Sequence, residues 1–514
     1  MNRTRMASLN TATVIVTQVV SLILKFAVQT VFIHELSQGY LGLNGLFANI
    51  LSFLSFADLG IGTAITVELY GPIARNDIIQ MRRLLALYKK AYTIIAITFT
   101  VLGICIAPFV HLFIKNGGFS NTQIMFWFVL YMLGTTATYF AAYKRSFLMA
   151  SQRGYLSTLN DFSFRSIQQI LQIIAIVTLH SFLTFLLIQL LSVVASNIQI
   201  SRMTSRRFPD VFSKDHVRKN GSLGKEMLSD IKRNVVGAVS SNIGTIIVFG
   251  TDNVILSSFV GLGAVARYSN YSLITQSLNS IFSQALKQIV SSIGNLNVTS
   301  DNEKKQLTLL RMLFFSACIN LVLISGLGAG INIFIHIWAG KNYLLNSLVV
   351  FVFLLNFLVT QFRYTAQNFI SGMGLYWPLR WKSVLEAGVN LVFSLLFVVV
   401  LKMSVLGVVL GTLISNMAIN VWWEPLIVYK YGIKKGFVEY LRKYFWYMGI
   451  CILVLLVGTG ISIVFSSVTL IELVFIEVIF ELLSVFFFIL LTRKSSEYRF
   501  FIALIKKYCV ENVE

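Results

Sequence analysis

Acidic side chains are scarce in this chain: 21 Asp and Glu in 514 residues, against 42 Lys and Arg. Charged residues of both signs make up only 12% of the sequence, roughly half the share of a soluble globular protein. So little charge excludes a solvated surface for a chain of this length. Cysteine is rare as well, and Cys105, Cys318, Cys451 and Cys509 stand far apart, with no pair at redox or metal spacing. The five histidines form no metal motif either. Neither a Walker-type lysine loop, a His-Glu metalloprotease pair nor a Gly-x-Ser-x-Gly elbow is present, which argues against ATP hydrolysis and common hydrolase chemistry.

What the chain has in abundance is apolar runs. Hydrophobic residues make up 56% of it. Stretches of about 20 apolar residues, the length that crosses a bilayer, recur near 12–34, 42–67, 91–113, 123–142, 162–180, 182–201, 234–258, 265–290, 310–338, 345–370, 383–402, 404–424, 444–466 and 468–491. An all-α polytopic membrane protein of about fourteen transmembrane helices is expected. With the N-terminus inside, three of the 42 cations fall in outer loops (Lys115, Lys341, Lys402) and four within spans (Lys25, Arg267, Lys287, Arg363). The remaining 35 lie in inner loops, tails or inner helix ends, as the positive-inside rule requires. The net charge of +21 therefore serves topology and adhesion to anionic lipid, and no nucleic-acid partner is expected. His34, His111, His180 and His336 fall near outer helix ends, where an amphipathic ring is at home. The first run is too long for a signal-peptide core and is expected to stay as a helix.

The charged segment 202–233 separates two halves that echo one another. Asn76-Asp77, which opens an expected inner surface helix (78–90), recurs as Ser300-Asp301, 224 residues later. Ser151-Gln152-Arg153-Gly154 recurs as Ser371-Gly372-Met373-Gly374. Two six-helix lobes are expected, 1–201 and 234–424, as a parallel pseudo-repeat around a central cavity. Beyond them lie 425–491, with two extra C-terminal helices, and a cytoplasmic basic tail, 492–514.

Polar residues inside apolar helices mark candidate sites, since an unmatched charge at mid-bilayer costs on the order of 3 kcal/mol or more. The first helix carries a ladder at four-residue spacing: Thr13, Thr17, Ser21, Lys25 and Gln29. Lys25 lies too far inside for easy snorkelling and is assigned to a cavity. Helix eight carries Arg267, Ser272, Gln276, Ser280, Ser283 and Lys287; helix ten carries Asn356, Thr360, Arg363, Tyr364 and Gln367. Lys25, Arg363, Lys287, Arg267, Ser21, Gln29, Gln276 and Tyr364 form the candidate substrate set. The acids Asp58, Asp252 and Glu386 are candidates for ion coupling or, equally, for neutralising a neighbouring cation. Asp161 and Arg165, four apart on helix five, suit an intrahelical ion pair. Glu472, Glu477 and Glu481 fall outside the repeats. Cations beside hydroxyl, amide and aromatic groups suit an anionic, hydroxyl-rich ligand such as phosphate on a sugar carrier.

One stretch adds a resemblance. Phe32-Ile33, Leu36, Tyr40-Leu41-Gly42-Leu43-Asn44-Gly45-Leu46-Phe47, Asn49-Ile50-Leu51-Ser52, Asp58-Leu59-Gly60-Ile61-Gly62-Thr63-Ala64-Ile65, Leu69-Tyr70 and Pro72-Ile73-Ala74 stand in order within residues 30–92. With this spacing the segment resembles the oligosaccharide flippases of the multidrug/oligosaccharidyl-lipid/polysaccharide (MOP) exporter superfamily. The family often has Glu where Asp58 stands, and Ala266-Arg267 replaces a usual Gly and apolar residue. The resemblance implies a non-enzymatic transporter in a bacterial plasma membrane. It would turn an undecaprenyl-pyrophosphate-linked oligosaccharide to the outer leaflet by alternating access, for capsule, exopolysaccharide or a teichoic-acid-type polymer. Partners would be the lipid-linked oligosaccharide, the bilayer, and the polymerase and glycosyltransferases of the same process. No cofactor or metal is implied; coupling to Na⁺, H⁺ or membrane potential stays open. The competing readings are a cation-coupled multidrug exporter, which an acid-lined cavity would favour, and a membrane glycosyltransferase or polymerase, for which the outer loops are too small.

Overall fold

The computed structural model describes residues 3–55, 68–73, 75–115, 118–151, 153–212, 250–375, 377–379, 381–465 and 468–511, and these contain no strand. Eleven helices among them are long and apolar enough to cross a membrane. The chain is a multi-pass, all-helical membrane protein.

Two compact units follow one another, Met1–Ala266 and Arg267–Glu514. The first holds α1 (Arg3–Glu35), α2 (Gln38–Leu54), α3 (Ile78–Ile106), α4 (Asn121–Ala150), α5 (Gly154–Leu179), α6 (Phe182–Arg207) and α7 (250–260). Helix α8 (Leu262–Thr299) begins there and continues into the second unit. That unit adds α9 (Asn302–Ala339), α10 (Ser347–Met373), α11 (Lys382–Leu395 with the π turn Leu396–Val400) and α12 (404–433). Then come α13 (Phe437–Val464), α14 (Leu470–Thr492) and α15 (Ser496–Glu511). Asp58, the segment 213–249 and most of the seventh expected span lie outside the described residues.

The helix starts repeat. Gln38 and Leu262 open α2 and α8, and Ile78 and Asn302 open α3 and α9, each pair 224 residues apart. The sequence echo at Asp77 and Asp301 has a physical cause. Each carboxylate accepts the backbone N–H three residues on, from Gln80 at 2.9 Å and Lys304 at 3.1 Å, and so caps its helix. Several expected boundaries shift, the third span among them. The surface helix 78–90 and the third span are one continuous helix, because nothing between Lys90 and Ala91 breaks it: neither Gly nor Pro intervenes. Other starts are fixed by capping boxes, Ser120 with Gln123 and Thr469 with Glu472.

Packing in the first unit runs α3 on α4, α4 on α6, α6 on α5 and α5 on α1. Gly42, in the stretch that carried the resemblance, allows a close approach to the backbone of Leu262. A Cβ on it would lie 2.4 Å from the Leu262 carbonyl oxygen, so only glycine fits. In the second unit α9 is central, packed on α10, α13 and α14, while α10 also meets α12 and α13.

Candidate functional site

Two regions carry most of the intramembrane charge, one in each unit. In the first unit the α1 ladder is graded: Thr17 is buried, Ser21 and Gln29 are half-buried, and Lys25 is exposed. Helix α5 packs along α1, and the charge that Lys25 feels there is another cation, Arg165, also exposed. Among the described residues no carboxylate pairs with either. The expected Asp161–Arg165 pair is replaced by one between helices. The Arg145 guanidinium on α4 grips Asp161 at 2.8 Å and 3.4 Å and donates to Asn197 on α6 at 2.8 Å. Asp161 is consumed by that three-helix junction, which leaves Arg165 beside Lys25 with no paired acid among the described residues. Two like charges on adjacent helices repel, and an anion between them would remove the repulsion.

The second unit does the opposite. Arg363 on α10 already has protein partners; its guanidinium makes a bidentate contact with Glu424 on α12, Nε to Oε2 at 3.1 Å and Nη2 to Oε1 at 2.7 Å. Its Nη1 donates to Asn416 and lies 3.7 Å from Glu386. Lys382 on α11 bridges the same two acids, at 2.9 Å to Glu424 and 3.1 Å to Glu386. Gln367 adds a fourth donor to Glu424 at 3.2 Å. Two cations and two carboxylates cancel in a cluster where Glu424 is 1% exposed and Arg363 9%. Such a cluster tolerates burial because every charge is met. Asn420 donates to Glu386 at 2.6 Å and to Asn416 at 2.8 Å, and Asn416 donates to Asn356 at 2.6 Å. Asn416 and Asn420 bound a π turn in α12, and the widened turn brings both amides into the network. Glu386 is therefore a neutralising acid in this arrangement, the second of the two roles open to it.

The remaining candidates are dispersed. Arg267 is half-buried on α8, and its Nε is buried with no hydrogen-bond partner among the described residues. Gln276 is exposed on the same helix. Tyr364 is half-buried, its ring edge-on to Phe282 at 6.0 Å and its hydroxyl bonded to Asn279. Asp252 is buried on α7. Lys287 lies on α8, but its side chain, like the whole of Asp58, falls outside the described residues.

Residues without a place in the sequence analysis are Lys382, Asn416, Asn420 and Glu424, and Arg165 had one only as a partner for Asp161. The signal was present for some. Asn416, Asn420 and Glu424 form a four-residue ladder of the kind recognised on α1, and Lys382 and Glu386 are spaced as a helical pair.

No protein-family model matches the sequence, and no curated protein matches it. Solved structures do. Lipid II flippase MurJ in an inward closed conformation superposes with a TM-score of 0.65 at 14% identity, over 93% of this chain and 98% of that one. A multidrug resistance MATE family transporter of the MOP superfamily, inward-facing, gives 0.61 at 14% identity over 84% and 95%. A MOP superfamily transporter from Pyrococcus furiosus, described by the reverse polarity of its binding pocket, gives 0.58 at 15% identity over 84% and 97%. The chain has the MOP-superfamily fold.

Proposed function

We propose that this chain is a flippase that carries a lipid-linked, pyrophosphate-bearing oligosaccharide across a bacterial plasma membrane. The observation that carries the reading is the pair of cations Lys25 and Arg165 inside the helices of the first unit, with which no acid pairs among the described residues. In hydrocarbon such charges persist where they serve a ligand, and the ligand they suit is an anion. A pyrophosphate offers several oxygens to two cations, while the polyprenyl tail stays in lipid and the sugar meets the amide and hydroxyl groups of α1 and α5. Each charge-assisted contact is worth about 1.5–3 kcal/mol, enough for roughly a ten- to hundredfold preference over an uncharged carrier. The likeness to a lipid II flippase over nearly the whole chain supports the same class of substrate.

The likeness to multidrug transporters supports a second reading, export of organic cations. Lys25 and Arg165 weigh against it, because they repel a cation. Proteoliposomes separate the two. Wild-type protein should move a fluorescent undecaprenyl-pyrophosphate-linked saccharide between leaflets, and Lys25→Ala/Arg165→Ala should lower that rate tenfold or more. Transport of a cationic dye, unaffected or accelerated by the same variant, would overturn the flippase reading.

A further inference from the structure

Helix α14 carries charge that neither the fold nor the proposed substrate explains. It runs from Leu470 to Thr492 and is apolar except for Glu472, Glu477, Glu481 and a few hydroxyls. Glu472 closes the capping box with Thr469 at the helix start. Glu477 and Glu481 sit one turn apart in the middle of the span, on one side of the helix.

That side meets α9, the helix against which α14 packs most. The Glu477 carboxyl rests on two glycines there. A Cβ on Gly330 would lie 2.2 Å from Glu477 Oε1, and one on Gly326 would lie 3.6 Å from Oε2. The notch in α9 is thus fitted to the carboxyl. Glu481 meets the Ser325 hydroxyl, which also lies 2.9 Å from the Leu321 carbonyl oxygen and 3.0 Å from that of Val322.

Among the described residues no cation pairs with these acids. From Met312 to Ile335 on α9, and from Tyr444 to Val464 on α13, there is no Lys, Arg or His. The titratable groups on those stretches are Cys318, Tyr444, Tyr447 and Cys451, with His336 one residue beyond on α9. The cations of α9 (Lys304, Lys305, Arg311) and of α13 (Arg442, Lys443) belong to the inner helix ends. Two bare carboxylates a turn apart in a span are a charge state that the bilayer does not support.

Two hydrogen-bonding observations point to what fills the place of a cation. A hydroxyl has a single hydrogen to give. If Ser325 donates it to the backbone of α9, the contact with Glu481 requires a hydrogen on the carboxyl. Ser484, on the same helix three residues beyond Glu481, is 3% exposed and its Oγ has no hydrogen-bond partner, as are Glu477 Oε1 and Glu481 Oε1. The two carboxyls bring four oxygens to the region, against one hydrogen each from the Ser325 and Ser484 hydroxyls. No cluster of three or more His, Cys, Asp or Glu suited to a metal occurs among the described residues.

We infer that Glu477 and Glu481 form an intramembrane proton-binding site, closed by Ser325, Gly326 and Gly330 of α9. The pair shares a dissociable proton, released as H⁺ when the site opens and recovered from water. These residues lie outside the substrate set, so the inference stands or falls apart from the proposed function.

Infrared difference spectroscopy of the full chain in nanodiscs tests it directly. Between acid and alkaline pH the wild type should show a protonated-carboxyl C=O band that shifts in D₂O. Glu477→Gln/Glu481→Gln should lack that band, and each single variant should retain a displaced one. Ser325→Ala, which leaves both acids in place, should move the band by removing a hydrogen bond, and this arm decides the matter if the double variant does not fold. A spectrum unchanged by Ser325→Ala and by the Gln variants would overturn the site. So would loss of the band on adding Na⁺ at fixed pH, which would make it a sodium site.

Discussion

Lys25 with Arg165 and Arg363 with Lys382 are both pairs of basic residues on neighbouring helices within spans, and they differ in what surrounds them. The second pair is enclosed by Glu386 and Glu424, which meet it at 2.7–3.7 Å, and its net charge is zero. The first has no acid among the described residues, although one carboxylate, Asp161, lies only four residues from Arg165. That carboxylate is held by Arg145 instead. On the proposed reading, the contrast separates a cation that builds the protein from one that is left for something outside it. Burial alone does not make the distinction; the count of opposite charges does.

The contrast is broken most severely at Glu424. Replacing it by Ala leaves Arg363 and Lys382 sharing one acid, and losing one partner of a buried pair costs about 3–5 kcal/mol. Thermal unfolding in detergent should show a large loss. Arg363→Ala should be comparably harmful, so failure of its transport would coincide with loss of folded protein. The double variant Arg363→Ala/Glu424→Ala should unfold at a higher temperature than the sum of single effects gives. If the single variants are as stable as wild type, the cluster is not a structural core.

Lys25→Ala should behave in the reverse way: normal amount and stability in the membrane, with flipping lowered tenfold or more. Lys25→Glu sharpens this further, since it gives Arg165 an acid. Stability should rise by at most about 1 kcal/mol, as for other exposed pairs, while flipping is lost. Asn420→Ala removes the amide that ties Glu386 to Asn416 and should cost about 1–3 kcal/mol with transport per folded molecule retained. A Gly42→Ala change should cost a similar 1–3 kcal/mol through the overlap with Leu262.

Much of the architecture was legible in the sequence, for physical reasons. Spans announce themselves by length and apolarity, and the distribution of Lys and Arg gives an expected orientation. Asp77 and Asp301 could be recognised as related openings because a cap is a local device, decided by residues a turn apart. What sequence could not supply is which helices become neighbours. Asp161 has a basic residue four positions on, yet it pairs with Arg145, sixteen positions back and on another helix. Arg363 looked like a cavity cation because its two acids lie 23 and 61 residues away. Lys25 carries no partner that its own helix supplies, and only α5 packing on α1 revealed that a second cation, Arg165, is near it.

The central claim is that these two cations are kept for the phosphates of a lipid carrier. Equilibrium binding of undecaprenyl pyrophosphate, against undecaprenol of the same chain length, to nanodisc-embedded protein measures this without transport. Wild type should prefer the pyrophosphate by roughly tenfold or more, and Lys25→Ala/Arg165→Ala should bind the two alike. An undiminished preference in that variant would contradict the account.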